Sequence, residues 1–444
     1  MQIDFITLTD LSIFSKNQTE DVFSLIDKTT TSIGRKALRK MFVTPPTKCS
    51  DLRETQKVVQ FFTRHLNDWP TIISNGTVLM LEKFFDSAEP ATTGNVGVAV
   101  ISSDFIQRIF NRREFFLTKF SLNHLKDFLI GCRQITKIGK DEEKPDSLQQ
   151  CFALITEYLE TPEIEEILAI DDKTRYRQLA NLQRKVRFRN ERTFVGLMEI
   201  YARLDAWISM ARATTERNWT FPVIDTTDKV QLRVKGLYHP LVSDAVAYDV
   251  EMDETSNFMV LTGANMSGKT TYLRSIGVAT LLAHIGMGVP AASFETGFFH
   301  GIITNMHVED NILKGESYFL AEVKRMKDTV EKILDKRPRL VLMDELFKGT
   351  NVHDAHECTK AVVEGLIKFN NHIKVLSTHL YEVAHQFETH PSLCFYYFQI
   401  RSSEQGMFEF TYVLKKGISN DRIGYRILQK EGVIDLLTQP KNNL

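Results

Sequence analysis

From the first residue to about position 220, apolar side chains recur at helical spacing and Gly and Pro are scarce. In the segment IGRKALRKMF, Ile33, Ala37, Leu38, Met41 and Phe42 share one face of a helix for which Ser32 is the expected cap. Pro45 and Pro46 end it, because proline lacks an N–H and its ring clashes with the preceding turn. Leu52, Val59, Phe62 and Leu66 predict a second amphipathic helix. Between Leu148 and Trp219, the single proline Pro162 and single glycine Gly196 leave room for long helices. Near Phe221-Pro222 the pattern changes. Short β-branched and apolar runs (NFMVLTG, RLVLMDE, IKVLSTH) sit beside glycine-containing turns, each followed by a helix-period stretch. That alternation predicts βα units and a mixed, mostly parallel sheet. The expected fold class is therefore α followed by α/β. It comprises a helical domain over 1–220, an α/β domain over 221–430 and a tail over 431–444.

A chain of 444 residues is too long for one ordinary core, since domains hold roughly 100–200 residues. Lys+Arg 55 against Asp+Glu 56 leaves a net charge of −1, which excludes a globally basic nucleic-acid coat but not a local basic surface. Five scattered cysteines with no C-x-x-C pair point to reduced thiols rather than a disulfide framework. The N-terminus has neither the basic nor the apolar part of a signal peptide, and no apolar run approaches the ~20 residues of a membrane span. A cytoplasmic location with no membrane partner is expected.

The segment Gly263-Ala264-Asn265-Met266-Ser267-Gly268-Lys269-Thr270 fits G-x-x-x-x-G-K-[ST], follows the apparent strand Phe258–Leu261 and opens a helical run. That is the context in which glycines let backbone N–H groups curl around phosphates at a helix N-terminus. Lys269 is then expected to neutralise phosphate charge and Thr270 to ligate Mg²⁺. The apolar run Leu340–Met343 ends in Asp344-Glu345, which places a metal carboxylate (Asp344) beside a general base (Glu345). Ser377-Thr378-His379 closes a third strand, where His379 can hydrogen-bond a terminal phosphate. Ser317 opens a helix whose apolar face runs from Phe319 to Leu334; it is either an anion-facing hydroxyl or a simple N-cap.

These motifs occur in the order of an ABC-type ATPase, and their wording, TGANMSGKTTYLRSIG and LMDELFKGTN, resembles the MutS family of DNA mismatch repair ATPases. GLYHPLV (236–242) is similar to that family's approach to its ATPase domain, and GISNDRIGYRIL (417–428) to its closing segment. FSLIDKTTTSIGRKALRKMFVTPP (23–46) is similar to the start of its helical core and lever domain. The resemblance implies an ABC-type P-loop ATPase domain with Walker A at 263–270 and Walker B at 340–345. It also implies ATP and Mg²⁺ as cofactors and DNA as partner. Nucleotide contacts would fall on Gly263, Asn265, Ser267, Gly268, Lys269, Thr270 and Thr271, the Mg²⁺ ligand on Asp344, the catalytic glutamate on Glu345 and the switch histidine on His379. Family ATPase domains pair head to tail, so Ser317 would face the nucleotide of the other subunit of a homodimer, with Gly349–Asn351 in the interface.

Several departures shape the expectation. No Phe is followed two positions later by Glu, the wedge pattern of the family's mismatch reader, and the chain starts almost at the lever segment. A short member without an N-terminal mismatch-reading domain, and with the clamp absent or reduced, is expected. Where relatives place Phe against adenine, this chain offers Tyr248 as the substitute. The run Lys173–Arg192 carries eight Lys/Arg against one Glu, just after the acidic EYLETPEIEEILAIDD. Three readings stay open: Arg184, Lys185, Arg187 and Arg189 track DNA phosphates, the run is a solvated helix face, or it pairs with the acidic stretch. The functional expectation is an ATPase coupling hydrolysis to dimer-mediated binding of duplex or branched DNA in repair or recombination, with other repair proteins as further partners. Its rival is an ATP-driven dimeric assembly acting on a protein partner.

Overall fold

The computed structural model describes residues 1–15, 21–86, 112–171, 173–227, 229–306, 317–402, 408–419, 429 and 432–438. Of the closing segment 417–428, residues 420–428 lie outside them. The chain forms two compact units. One comprises Ile26–Phe42 and Glu54–Arg217, the other Met1–Leu25, Val43–Arg53 and Asn218–Leu444. Residues 1–25, expected in the helical domain, therefore belong with the sheets. The reason is a set of buried polar contacts with residues near 304 and 325, described below.

The helical unit contains α3 (Ser32–Val43), most of α4 (Cys49–Arg64), α5 (Asn75–Asp86), α6 (Arg112–Ile135), α7 (Asp146–Leu159), α8 (Pro162–Leu168), α9 (Tyr176–Arg189) and α10 (Glu191–Glu216). From Leu204 to Ala211 every residue of α10 is buried, so this helix is apolar almost all round. Its two polar residues there hold the segment leading into α3. Asp205 accepts from Thr30 N (2.9 Å), Thr31 N (2.9 Å) and Thr31 Oγ1 (2.7 Å), and Ser209 Oγ accepts from Lys28 N (2.8 Å). Burial pushes the Asp205 carboxyl upward, and these donors oppose it. The cap of α3 is Thr31 rather than Ser32: Gly34 N donates to Thr31 Oγ1 at 3.2 Å.

The other unit begins with α1 (Phe5–Asp10) and α2 (Val22–Ile26) and carries strands β1 (Val223–Ile224) to β10 (Phe408–Lys416). A four-stranded sheet runs in the order β1-β5-β2-β3, with β2 at Leu232–Leu237, β3 at Tyr248–Met252 and β5 at Ser293–Thr296. A six-stranded sheet runs β10-β9-β4-β8-β7-β6, with β6 at Gly301–Asn305 and β9 at Leu393–Ser402, parallel except for the antiparallel pair β9 and β10. Its central strands β4 (Phe258–Thr262), β7 (Arg339–Asp344) and β8 (Ile373–Thr378) are buried at every position, which is why they read as continuous apolar runs rather than alternating ones. On one face, α12 (Tyr318–Ile333), α13 (Val352–Leu366) and α14 (Tyr381–Gln386) bury Met326, Ile333, Val363 and Val383 against Val260, Val341 and Leu376. On the other lies α11 (Lys269–His284), where a Cβ on Gly277 would stand 2.9 Å from Leu342 and 2.4 Å from Leu11. The short α15 (Val433–Thr438) follows. Among the described residues, no helix is long and apolar enough to cross a membrane.

Candidate nucleotide site

The site lies where β4, β7 and β8 end together. β4 hands over to the loop Gly263–Gly268, which needs three positive-φ residues: Gly263 (139°), Met266 (68°) and Gly268 (104°). Gly268 has a second reason to be glycine, since a Cβ there would stand 3.3 Å from the Tyr412 ring. The loop opens α11, whose first-turn N–H groups are aimed into the site with the positive end of the helix dipole. Lys269 is buried and donates to the carbonyls of Gly263 (2.7 Å) and Ala264 (2.9 Å). Burial lowers its pKa, against the opposing pull of Glu345 and Asp344. Ser267 is 2% exposed and its Oγ has no hydrogen-bond partner among the described residues. A buried hydroxyl without a partner beside a ring of backbone N–H groups is what an anion in this loop would satisfy.

Asp344, the last residue of β7, sits opposite Ser377 of β8 in the sheet register. It accepts from Thr270 Oγ1 at 2.6 Å and from Ser377 Oγ. Two oxygen donors from different elements, converging at a carboxylate, fit a hard divalent cation such as Mg²⁺. Glu345 turns out of the strand with φ 52°, its N–H held by Ser377 O at 2.9 Å. Its carboxylate faces three bases: His379 Nδ1 at 3.8 Å, Lys348 Nζ at 3.0 Å and Lys269 Nζ at 3.6 Å. His379 first, then the two lysines, outweigh burial and hold the Glu345 pKa down at about 2. Glu345 is therefore an anion that orients donors.

Asn265, Gly268, Lys269, Thr270, Thr271, Asp344 and Glu345 line one cavity of about 420 Å³, together with Met266, Lys348 and Tyr412. Gly263 and Ser267 lie within the same loop, and His379, half exposed, stands beside Glu345. Ser317 is not among the lining residues; it is the N-cap of α12, accepting from Leu320 N at 3.4 Å. Asn351 caps α13 in the same way through Asp354 N at 3.0 Å. The sequence reading missed Lys348 and Tyr412. Lys348 stood in plain view three residues after Glu345. Tyr412 carried no signal, because a bulge between Phe410 and Val413 and a φ of 53° turn it toward the cavity. Tyr248, expected to meet adenine, is instead buried, edge-on to Tyr272 at 5.3 Å and to Phe398 at 5.7 Å.

The family model that matches is MutS domain V, over residues 259–440, from inside β4 through every motif of the cavity. The DNA mismatch repair protein MutS of Bacteroides fragilis is 27% identical over 402 residues, 85% of this chain and 45% of that protein. The chain belongs to the MutS family. Among other MutS proteins, that of Rhodopirellula baltica is 30% identical over 57% of this chain and 29% of its own length. That of Thermotoga maritima is 28% identical over 68% of this chain and 38% of its own. This MutS-family chain thus spans less than half the length of these curated relatives.

The cations expected to meet DNA lie in the helical unit. Lys185 Nζ pairs with Glu166 at 2.8 Å, within the acidic stretch upstream. Arg187 donates to Phe84 O through Nε (2.9 Å) and Nη2 (2.8 Å) and lies over the Phe84 ring. Arg184 is exposed, and the side chain of Arg189 lies outside the described residues. Within this run, intramolecular pairing thus accounts for Lys185, Arg187 is turned inward to a carbonyl, and Arg184 is solvated.

Proposed function

We propose that this chain is a Mg²⁺-dependent ATPase whose α/β unit works as a dimer and whose cycle is coupled to DNA in repair. The observation that carries this is the convergence of Thr270, Asp344 and Glu345 on the 420 Å³ cavity above the glycine-bent loop. In this reading the loop N–H groups, Ser267 and Lys269 bind phosphate, and Thr270 and Asp344 hold the metal. The bound cation supplies Lewis-acid neutralisation of phosphate charge. Glu345, ionised and anchored by Lys348 and His379, accepts a hydrogen bond from the attacking water and aligns it. Tyr412 offers a ring face to the base. Ser317, outside the cavity of its own chain, serves the nucleotide of a partner subunit across a head-to-tail interface that includes Gly349–Asn351.

DNA enters the proposal through the relatives, which are DNA mismatch repair proteins. The inward engagement of Lys185 and Arg187 favours weighing the second reading, a dimeric ATPase acting on a protein partner. Binding to homoduplex, mismatched and four-way DNA, with and without ATP, separates the two. The DNA reading expects affinity that falls steeply with salt. No binding to any of these at low salt favours the protein partner.

A further inference from the structure

The N-terminal segment is joined to the edge of the six-stranded sheet. Gln2 N donates to His300 O at 2.6 Å and Ile302 N to Gln2 O at 3.2 Å, a parallel bridge beside β6 (Gly301–Asn305). α1 follows, capped by Asp4, and ends at Asp10, which is 3% exposed. Asp10 Oδ2 accepts from Thr304 Oγ1 at 2.7 Å and Met306 N at 3.2 Å, and forms an ion pair with Arg325 of α12. Arg325 also donates to Thr304 O, at 2.8 Å from Nη2. Two turns along the same helix, Lys332 pairs with Asp4 at 2.8 Å. α12 is thereby tied to α1 at two points on one face, and at Arg325 to the edge strand as well.

The same helix carries the loop that follows Glu345. Glu322, one turn before Arg325, accepts from Lys348 N at 3.2 Å and Gly349 N at 3.1 Å. Phe319 packs on Phe347 with ring centroids 6.0 Å apart. Gly349 approaches so closely that a Cβ would stand 2.5 Å from the Tyr318 ring and 2.7 Å from Phe319 N. Lys348, suspended in this way, is the cation 3.0 Å from Glu345.

We infer that Asp10 and Arg325 are positioning residues for the carboxylate of Glu345. The N-terminal segment sets the placement of α12 against β6, and α12, through Glu322, sets the loop that aims Lys348 at Glu345. This inference rests on the ATPase reading above. Its link is absent from every sequence motif of the cavity, because Asp10 and Arg325 stand 315 positions apart.

The test is steady-state ATP hydrolysis, with ADP affinity measured separately. Asp10→Asn keeps the shape of the side chain and removes its charge. It is expected to lower kcat about tenfold, short of the ~10²-fold that a 1 Å misplacement can cost, while ADP binds within about twofold of wild type. Arg325→Gln should match it and Arg325→Lys should recover most of the loss. In a Glu345→Gln background, Asp10→Asn should change the residual rate by less than about twofold, because the group it positions is gone. A folded Asp10→Asn protein with wild-type kcat overturns the inference, as does an equal tenfold loss in the Glu345→Gln background. Should Asp10→Asn not fold, Glu322→Ala, at a half-buried position, reads the same link, and wild-type kcat there overturns it. Wild-type protein without ATP turnover overturns the ATPase reading and this inference together. Turnover with unaffected variants overturns only the inference.

Discussion

Lys374 is the second residue of β8, and its side chain is fully buried. Its Nζ donates to the carbonyls of Leu366 (3.2 Å) and Phe369, at and just beyond the end of α13, and lies 5.4 Å from the centre of the Phe258 ring. Carbonyls at a helix C-terminus favour a cation there. Burial still dominates and brings the lysine pKa down from its usual 10.5 to about 7. Below pH 7 the ammonium is present folded and unfolded, and the full burial penalty stands. Between pH 7 and 10.5 the unfolded chain keeps a proton that the folded chain has lost, so stability rises with pH across that window. For one group, the penalty works out at about 4 kcal/mol at pH 7 and about 2 kcal/mol at pH 9. Lys374→Met keeps the stem and removes the charge. Its stability relative to wild type should therefore be about 2 kcal/mol more favourable at pH 7 than at pH 9. Urea unfolding followed by the fluorescence of Trp219, with Trp69 and Trp207 replaced by Phe in both proteins, measures that difference. A difference between the two proteins that is the same at pH 7 and pH 9 would refute the reasoning.

Gly349→Ala drives a methyl into Tyr318 and the backbone of Phe319, an overpacking of about 1–3 kcal/mol that should open the loop after Glu345 and lower kcat at least tenfold. Unchanged turnover would show that the contact yields without consequence. Mixing Ser317→Arg with Lys269→Ala protein, each nearly inactive alone, should restore part of the ATPase activity through one intact composite site. No recovery despite subunit exchange leaves Ser317 as the N-cap the structure shows. In the helical unit, Asp205→Ala strands the N–H groups of Thr30 and Thr31 and should destabilise that unit by about 3–5 kcal/mol in calorimetry. A loss under about 1 kcal/mol would mean that water replaces the carboxylate.

Much of the cavity was legible because its residues are local to their strands. A glycine-bent loop after an apolar run, or a carboxylate pair closing one, announces its geometry within eight residues. The six-stranded sheet was legible for the same reason, since strands covered on both faces read as unbroken apolar runs. What stayed hidden depends on partners remote in sequence. Asp10 belongs to no motif in the sequence, and only the fold shows it buried against Arg325. Tyr412 reaches the cavity through a bulge that no residue pattern marks, whereas Tyr248, nearer the expected motif, is taken into the ring cluster of Tyr272 and Phe398. In the basic run of α9, charge density by itself does not separate a ligand surface from pairing within the unit: Lys185 and Arg187 have partners inside it, while Arg184 is exposed.

In the proposed mechanism Glu345 aligns the water that attacks a bound ATP, with Lys269 holding the phosphates. Single-turnover hydrolysis of ATP with Mg²⁺ by wild type, Glu345→Gln and Lys269→Ala, alongside nucleotide binding by each, tests it most directly. Glu345→Gln should bind ATP and hydrolyse it on the order of 10²-fold or more slower, while Lys269→Ala should lose most of its affinity. Turnover by Glu345→Gln within about threefold of wild type would contradict the account.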